Sequence, residues 1–157
     1  MKTLTKRTQY SLRALYALTR RYGKGPALIT QISKDEAIPK KFLELLLLSL
    51  KDNGLVASKK GKGGGYYLAR PPDTITIGSV IRMIEGPLAP LPCASETRFR
   101  KCDECSDIET CETRIVMREV RDAIAEILDR TTLAMLCKRV DDARQKKQEE
   151  GALMYYI

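Results

Sequence analysis

The first third of the chain alternates apolar and polar positions at the spacing of amphipathic helices. Over residues 8–22 the apolar side chains recur three and four positions apart, and Gly23 follows, so we expect one helix with a glycine stop. A second, short helix is predicted over residues 30–36, with Thr30 as its cap and isoleucines on its core side. The two helices would pack through their apolar sides.

A third helix is predicted over residues 39–53, because Pro39 suits a first helical turn and Gly54 stops the pattern. This helix is so rich in leucine that we expect most of its circumference to be buried. Its N-terminal half nevertheless has one polar face, since positions three and four apart are neighbours. Two helices joined by a tight turn predict a helix-turn-helix, whose second helix would meet DNA through Lys40, Lys41 and Glu44.

A glycine-rich hairpin is predicted directly after that helix. Residues 55–58 and 66–69 are candidate strands, and the loop between them holds three lysines and four glycines. Glycine lets the backbone approach phosphates closely, and lysine supplies phosphate contacts. Taken alone, the stretch also fits an ordinary solvated hairpin, whereas its glycine spacing does not fit a nucleotide-binding loop. As the wing of a winged helix, the hairpin would contact DNA through Lys59, Lys60 and Lys62.

Two more helices are predicted in the second half of the chain. A scaffold helix between Thr76 and Gly86 would close the head, and a long helix over residues 109–130 carries one apolar stripe. The stripe predicts a second copy of the chain as partner, although burial within one monomer is the alternative. A short closing helix through Arg139 and a mobile charged segment would follow. The predicted organisation is a DNA-binding head at 1–86, a cysteine-rich sensor loop at 87–111, dimerisation and closing helices at 112–140, and a charged tail at 141–157.

The composition is that of a soluble globular protein, with 43% hydrophobic and 31% charged residues in 157. No apolar run reaches the roughly 18 residues of a membrane-spanning helix, and the start lacks a signal-peptide core, so we expect a cytoplasmic location. Residues 1–70 hold 15 Lys and Arg against 4 Asp and Glu, a net charge of +11. Residues 71–157 hold 13 against 16, a net charge of −3. The basic first half predicts a nucleic acid as the partner, and the predicted helix-turn-helix favours double-stranded DNA.

Four of the five cysteines lie within residues 93–111, spaced Cys-x8-Cys-x2-Cys-x5-Cys. In a reducing compartment such a group favours a metal site or a thiol switch over structural disulfides. The spacing leaves an iron–sulphur cluster, structural zinc and a metal-free disulfide switch all open. Catalysis by a cysteine is not expected, because a nucleophilic thiol needs a base and the chain has no histidine. Cys137 fits a small core residue, and the candidate metal ligands are Cys93, Cys102, Cys105 and Cys111.

The chain resembles the bacterial winged-helix regulators typified by IscR, NsrR and CymR, the Rrf2 family. The resemblance runs from Leu4 to about Arg139 and is carried by LTKRTQYSLRAL, by LKDNGLVASKKGKGGGYYLARPP, and by a cysteine cluster before a long helix. It implies a mostly α fold: a winged helix-turn-helix head with a small β-hairpin wing and a long C-terminal dimerisation helix. It also implies homodimers on inverted-repeat operators, with Glu44 at a position that tunes operator choice.

The resemblance further implies that this loop holds an iron–sulphur cluster, 2Fe-2S rather than 4Fe-4S. The state of the cluster would control the affinity of the protein for its operator. Three cysteines match family ligands, namely Cys93, Cys105 and Cys111. IscR-like members have a histidine three residues after the last cysteine, where this chain has Arg114, so Cys102 is our candidate fourth ligand. The alternatives are a metal-free repressor of the CymR kind, controlled by thiol oxidation or by a protein co-regulator, and a zinc-stabilised DNA-binding protein.

Overall fold

A computed structural model of the protein describes the backbone of residues 4–154 and the side chains of residues 4–150. The part described is mostly helical, with six α-helices and one antiparallel hairpin, as predicted. Two short 3-10 turns cover Pro72–Thr74 and Pro92–Ala94. The helices are α1 Lys6–Arg20, α2 Ile29–Asp35, α3 Lys40–Asp52, α4 Ile77–Glu85, α5 Glu112–Arg130 and α6 Leu133–Met154, and the strands are β1 Val56–Lys59 and β2 Gly65–Leu68.

One hydrophobic core holds the predicted head together, and the beginning of α6 belongs to it. Leu15, Leu43 and Leu47 are fully buried, and Leu133 is buried among them. Two backbone hydrogen bonds attach the C-terminal segment to the head: Leu133 N donates to Ile75 O at 2.9 Å, and Ile77 N donates to Thr131 O at 2.8 Å. The head therefore includes residues from far along the chain.

The second helix begins earlier than its sequence suggests. Leu28 is the N-cap residue of α2 and makes no side-chain capping bond, so the prediction of Thr30 as the cap is wrong. The cause lies just before the helix, where the backbone of Ala27 exchanges hydrogen bonds of 2.8 and 2.9 Å with Tyr66 of the hairpin. This pairing fixes the direction in which the chain enters α2.

The leucine-rich α3 buries one stripe and exposes the opposite one. Its buried positions lie three or four residues apart, at Leu43, Leu46, Leu47 and Leu50. Leu45 and Leu48, by contrast, are 67% and 56% exposed. The expectation that most of this helix is buried is therefore wrong, because the head covers only one side of it.

The hairpin has the predicted shape and a closely packed turn. Val56 pairs with Leu68 and Lys59 with Gly65, so the loop between the strands comprises residues 60–64. Gly63 has a φ of +73°, which favours glycine. A side chain on Gly64 would collide with the backbone carbonyl of Lys59. A positive φ at Gly63 and crowding at Gly64 thus each favour glycine in this loop.

The long helix α5 packs on α4 through a glycine and an ion pair. A side chain on Gly78 would overlap the carboxylate of Asp129, so the two helices approach closely at this point. Arg82 donates two hydrogen bonds to Asp129, at 2.5 and 2.8 Å. Ile124 and Leu128 of α5 are half-buried near the same contact, so part of the predicted apolar stripe packs within the monomer.

The C-terminal helix is longer than predicted. Residues 133–154 form one continuous helix, so the expected short helix through Arg139 and mobile segment after it are corrected. Residues 133–150 contain neither glycine nor proline, and side-chain pairs four residues apart, such as Gln145 with Glu149 at 3.0 Å, support the helix. The guanidinium of Arg144 lies 5.9 Å from the ring centre of Tyr16 in α1. Among the described residues, no helix is both long and apolar enough to cross a bilayer.

Candidate nucleic-acid interface and metal centre

The exposed face of α3 carries the three residues predicted to meet DNA. Lys40, Lys41 and Glu44 are all exposed at the N-terminal end of the helix. Leu45 and Leu48 continue the same face one turn further on, since positions 41, 44, 45 and 48 are neighbours on a helix. The two leucines were missed by sequence reasoning, although their offset from the buried positions 43, 46, 47 and 50 could have revealed them.

Cations surround this face of α3. Arg7 of α1 donates to Ser49 Oγ at 3.0 Å, and Lys51 Nζ donates to Ser58 Oγ of β1 at 2.9 Å. Each of these contacts ties the helix to a neighbouring element. The predicted wing lysines are also exposed, at the end of β1 and in the loop after it: Lys59, Lys60 and Lys62. The head thus presents an exposed helix face, a basic hairpin tip and further cations between them.

The four clustered cysteines are free thiols that differ in burial. Cys93 is buried, Cys105 and Cys111 are half-buried, and Cys102 is exposed. A hydrogen bond to Cys93, followed by loss of hydration and the neighbouring thiols, raises the pKa of Cys102. Loss of hydration raises the pKa of Cys105, and its hydrogen bond to Cys111 is the second cause. Both thiols are therefore protonated near neutral pH, so a bound metal would have to displace protons.

The donor atoms of the loop bear on which groups it can hold. Within the described residues, no three Cys, His, Asp or Glu side chains converge as a ready metal site. Four free thiols within one loop nevertheless match the donor type that holds iron–sulphur clusters and structural zinc.

The chain that leads from the loop into α5 is held by an aspartate turn. Asp107 accepts hydrogen bonds from Glu109 N at 3.0 Å and from Thr110 Oγ1 at 2.6 Å. The bond from Thr110 lowers the pKa of Asp107, with that from Glu109 next in importance. Cys105 Sγ donates to the carbonyl of Asp107 at 3.4 Å. The turn therefore fixes the approach of the last two cysteines to α5.

Two arginines of α5 hold the ends of the cysteine loop. Arg114 donates through Nε to Cys93 O at 3.0 Å and through Nη1 to Ile108 O at 3.1 Å, which joins the start of the loop to its end. Arg121 is only 9% exposed and donates to Ala94 O at 2.6 Å. Asp122 and Glu96 neutralise its charge, at 2.5 and 3.3 Å. The sequence drew attention to Arg114 only because IscR-like members have a histidine at this position. Arg121 was missed, because its contact with Ala94 joins residues 27 positions apart along the chain.

The outer side of α5 exposes an apolar row. Val116 and Ile127 are 51% and 64% exposed, Ala123 is exposed and Val120 is half-buried. These four positions follow the spacing of three and four residues that is typical of paired helices.

Cys137, outside the cluster, is half-buried on α6, and burial raises the pKa of its thiol.

A winged helix-turn-helix head joined to a cysteine loop and a long helix is the architecture of a class of DNA-binding transcriptional regulators. The family profile described as Rrf2, an iron-dependent transcriptional regulator, matches residues 4–139. The chain therefore belongs to the Rrf2 family of transcriptional regulators.

Individual relatives agree with this assignment. The chain is 38% identical over 133 residues to a putative rrf2-like transcriptional regulator of Rhodobacter capsulatus, covering 83% of this chain and 89% of that protein. It is 34% identical over 157 residues to CymR of Bacillus subtilis, covering all of both chains. The solved structure of that CymR, called the global cysteine regulator, has a TM-score of 0.73 over 88% of this chain and 98% of its own at 32% identity. A structure of T. potens IscR has a TM-score of 0.71 at 30% identity, covering 90% of each chain.

Proposed function

We propose that this regulator binds inverted-repeat operators as a homodimer and that an iron–sulphur cluster in its cysteine loop sets the operator affinity. The observation that carries the proposal is the placement of four free thiols in the one loop that leads into the N-terminal end of α5. The proposed ligands are Cys93, Cys102, Cys105 and Cys111. The description of the family as iron-dependent supports iron over zinc, and the resemblance to IscR-like members supports 2Fe-2S over 4Fe-4S.

The dimer is proposed to form through the exposed apolar row of α5. An exposed Ile127 beside Ala123 and Val116 has no partner in the described part of the monomer that covers it. A second α5 laid along this row would remove apolar area from water, at about 25 cal/mol per Å². Two heads held in this way would each meet one operator half-site, roughly 10 base pairs apart.

Operator binding is proposed to use α3 and the hairpin together. Glu44 would accept a hydrogen bond from cytosine, and Lys41 would favour guanine in the major groove. The wing lysines would contact phosphates, which makes the affinity fall steeply with salt. The expected measurement is a linear loss of log affinity against log salt, and a flat response in an intact dimer would contradict the proposal.

Control by the loop is proposed to pass through the arginine contacts. When bound, an iron–sulphur cluster supplies redox chemistry and sensitivity to oxidants. Because Arg114 and Arg121 hold the two ends of the loop on α5, a change in thiol ligation would alter the loop between them and the helix that carries the dimer row. The relative placement of the two heads would change as a result.

The proposal is tested by anaerobic purification, followed by an absorption spectrum and assays for iron and acid-labile sulphide. Each loop cysteine is then replaced by alanine, with Cys137→Ala as the matched control outside the cluster. We expect cluster loss from each of the four loop variants and retention in the control. Retention of an unchanged cluster in Cys102→Ala would overturn the choice of fourth ligand, and a colourless, iron-free wild type would overturn the cluster itself.

A metal-free regulator of the CymR kind is the second candidate. The free state of all four loop cysteines favours it, because a peroxide could oxidise two of these thiols to a disulfide with release of water. Similarity to CymR over the full length of both chains also favours it. In that case DNA binding would respond to peroxide or to a protein co-regulator in iron-free protein. Zinc binding to the same thiols would appear as stoichiometric zinc without colour.

A further inference from the structure

Leu45 and Leu48 are the apolar centre of the face by which α3 would enter the major groove. They are 67% and 56% exposed, and Lys41 and Glu44 lie next to them on the same side of the helix. The buried stripe at Leu43, Leu46, Leu47 and Leu50 lies on the opposite side, so no rearrangement of the head is needed to leave the pair in the open. Contiguous exposed apolar side chains with polar neighbours are typical of an interaction site.

The surroundings of the pair indicate duplex DNA as that partner. Lysines precede the leucines on α3, Lys51 follows them, and Arg7 reaches the same helix from α1. The first 70 residues carry a net charge of +11. An apolar protein partner would not call for so many cations around the leucines, whereas the phosphates that border the major groove would.

Within the major groove, only one base presents an apolar group to a leucine side chain. Thymine carries a C5-methyl group there, and apolar side chains recognise it by direct contact. The other base edges offer hydrogen-bond donors and acceptors, which an aliphatic side chain leaves unsatisfied. Lysine and glutamate on the same face read donors and acceptors, so the leucines add a different kind of readout.

We propose that Leu45 and Leu48 are specificity-determining residues that contact thymine methyl groups in each operator half-site. This inference rests on the proposed operator binding and adds base identities to it. It requires at least one thymine per half-site that is preferred for its methyl group and not for its hydrogen-bonding edge. The contact would lie beside the bases read by Lys41 and Glu44.

The test begins with selection of operator sequences from a pool of random duplexes by the full-length protein. Each thymine of the selected operator is then replaced, one at a time, by deoxyuridine, which lacks only the methyl group. For wild-type protein we expect a loss of about threefold to fivefold at one or two thymines of each half-site, the factor for one methyl group removed from an apolar contact. In Leu45→Ala or Leu48→Ala the same replacement should have no effect.

Comparing thymine with uracil duplexes, in wild-type protein and in the leucine variants, separates a lost methyl contact from a general weakening of DNA binding. Met135→Ala, which removes an exposed apolar side chain of α6, should keep the wild-type preference for thymine. Equal affinity of wild-type protein for all thymine and uracil duplexes would overturn the inference while leaving salt-dependent operator binding intact. Equal weakening of both duplexes by the leucine variants, or loss of the dimer in sedimentation, would overturn it as well. Failure to select any duplex would instead overturn the operator proposal on which it rests.

Discussion

The DNA-binding head and the cysteine loop are held together by different forces. Leucines and isoleucines of the head, such as Leu15 and Ile75, are fully buried in one core. In the loop, Cys93, Ala94 and Ser95 are buried, and residues 96–104 are all exposed. The loop depends instead on guanidinium–carbonyl bonds and an aspartate turn. A region with few buried apolar contacts can change its structure without unfolding its neighbour, which is what the proposed sensing role of the loop requires.

The largest test of this contrast compares two adjacent leucines of α3. Leu47 is fully buried and Leu48 is 56% exposed. We expect Leu47→Ala to lower the free energy of unfolding by about 3–4 kcal/mol, because it opens a cavity in the core. Leu48→Ala should change it by less than about 0.5 kcal/mol. Urea unfolding followed by circular dichroism measures both, and similar losses in the two variants would contradict a core on one side of α3.

A second test removes a polar support of the loop. Arg121→Met leaves the carbonyl of Ala94 without its 2.6 Å donor and Asp122 without its partner, at a cost of about 2–3 kcal/mol. We also expect faster chymotrypsin cleavage after Phe99, which is 52% exposed in the loop. Arg118→Met, one turn earlier on the same helix and exposed, is the matched control. Equal stability and equal cleavage of the two variants would show that Arg121 does not hold the loop.

The smallest expected effect concerns the ion pair between α4 and α5. The hydrogen bond from Arg82 lowers the pKa of Asp129, so the pair stabilises the fold above the ordinary aspartate pKa and is lost as the pH falls through the lowered value. Because both side chains are partly exposed, the contribution is at most about 1 kcal/mol. The difference in unfolding free energy between wild type and Asp129→Asn should therefore be present at pH 6 and shrink as the pH falls below the ordinary aspartate pKa. Asp142→Asn, on the exposed part of α6, should show no such change.

Repeating apolar spacing made the helices and the hairpin of the head predictable. The glycine-rich loop could be recognised as well, because a positive φ at Gly63 and the crowding at Gly64 require those residues locally. The N-terminus of α2 could not be placed, since it depends on pairing between Ala27 and Tyr66, 39 residues apart along the chain. The exposed face of α3 was missed for a related reason. The leucine content of a helix indicates how apolar it is, but it does not indicate how many of its faces are covered by other elements.

The candidate site was predictable as a set of residues and not as an arrangement. The cysteine spacing identified Cys102 as a candidate member of the group, and its role as a ligand stays a prediction. The supports of the loop stayed hidden, because Arg114 and Arg121 act on backbone carbonyls, which have no signature in the sequence. The continuous α6 was missed because a high charge density was interpreted as mobility, whereas charges of opposite sign four residues apart favour a helix.

The insertion of Leu133 into the core has a practical consequence for dissecting the protein. A fragment that ends before residue 131 would lose a fully buried side chain and both backbone bonds that close the head on Ile75 and Ile77. Such a fragment would retain α3 and the hairpin but lack the C-terminal residues that complete the core beneath them. The head and the first turn of α6 therefore share one core, and a fragment that ends before residue 131 is expected to be less stable than the full chain.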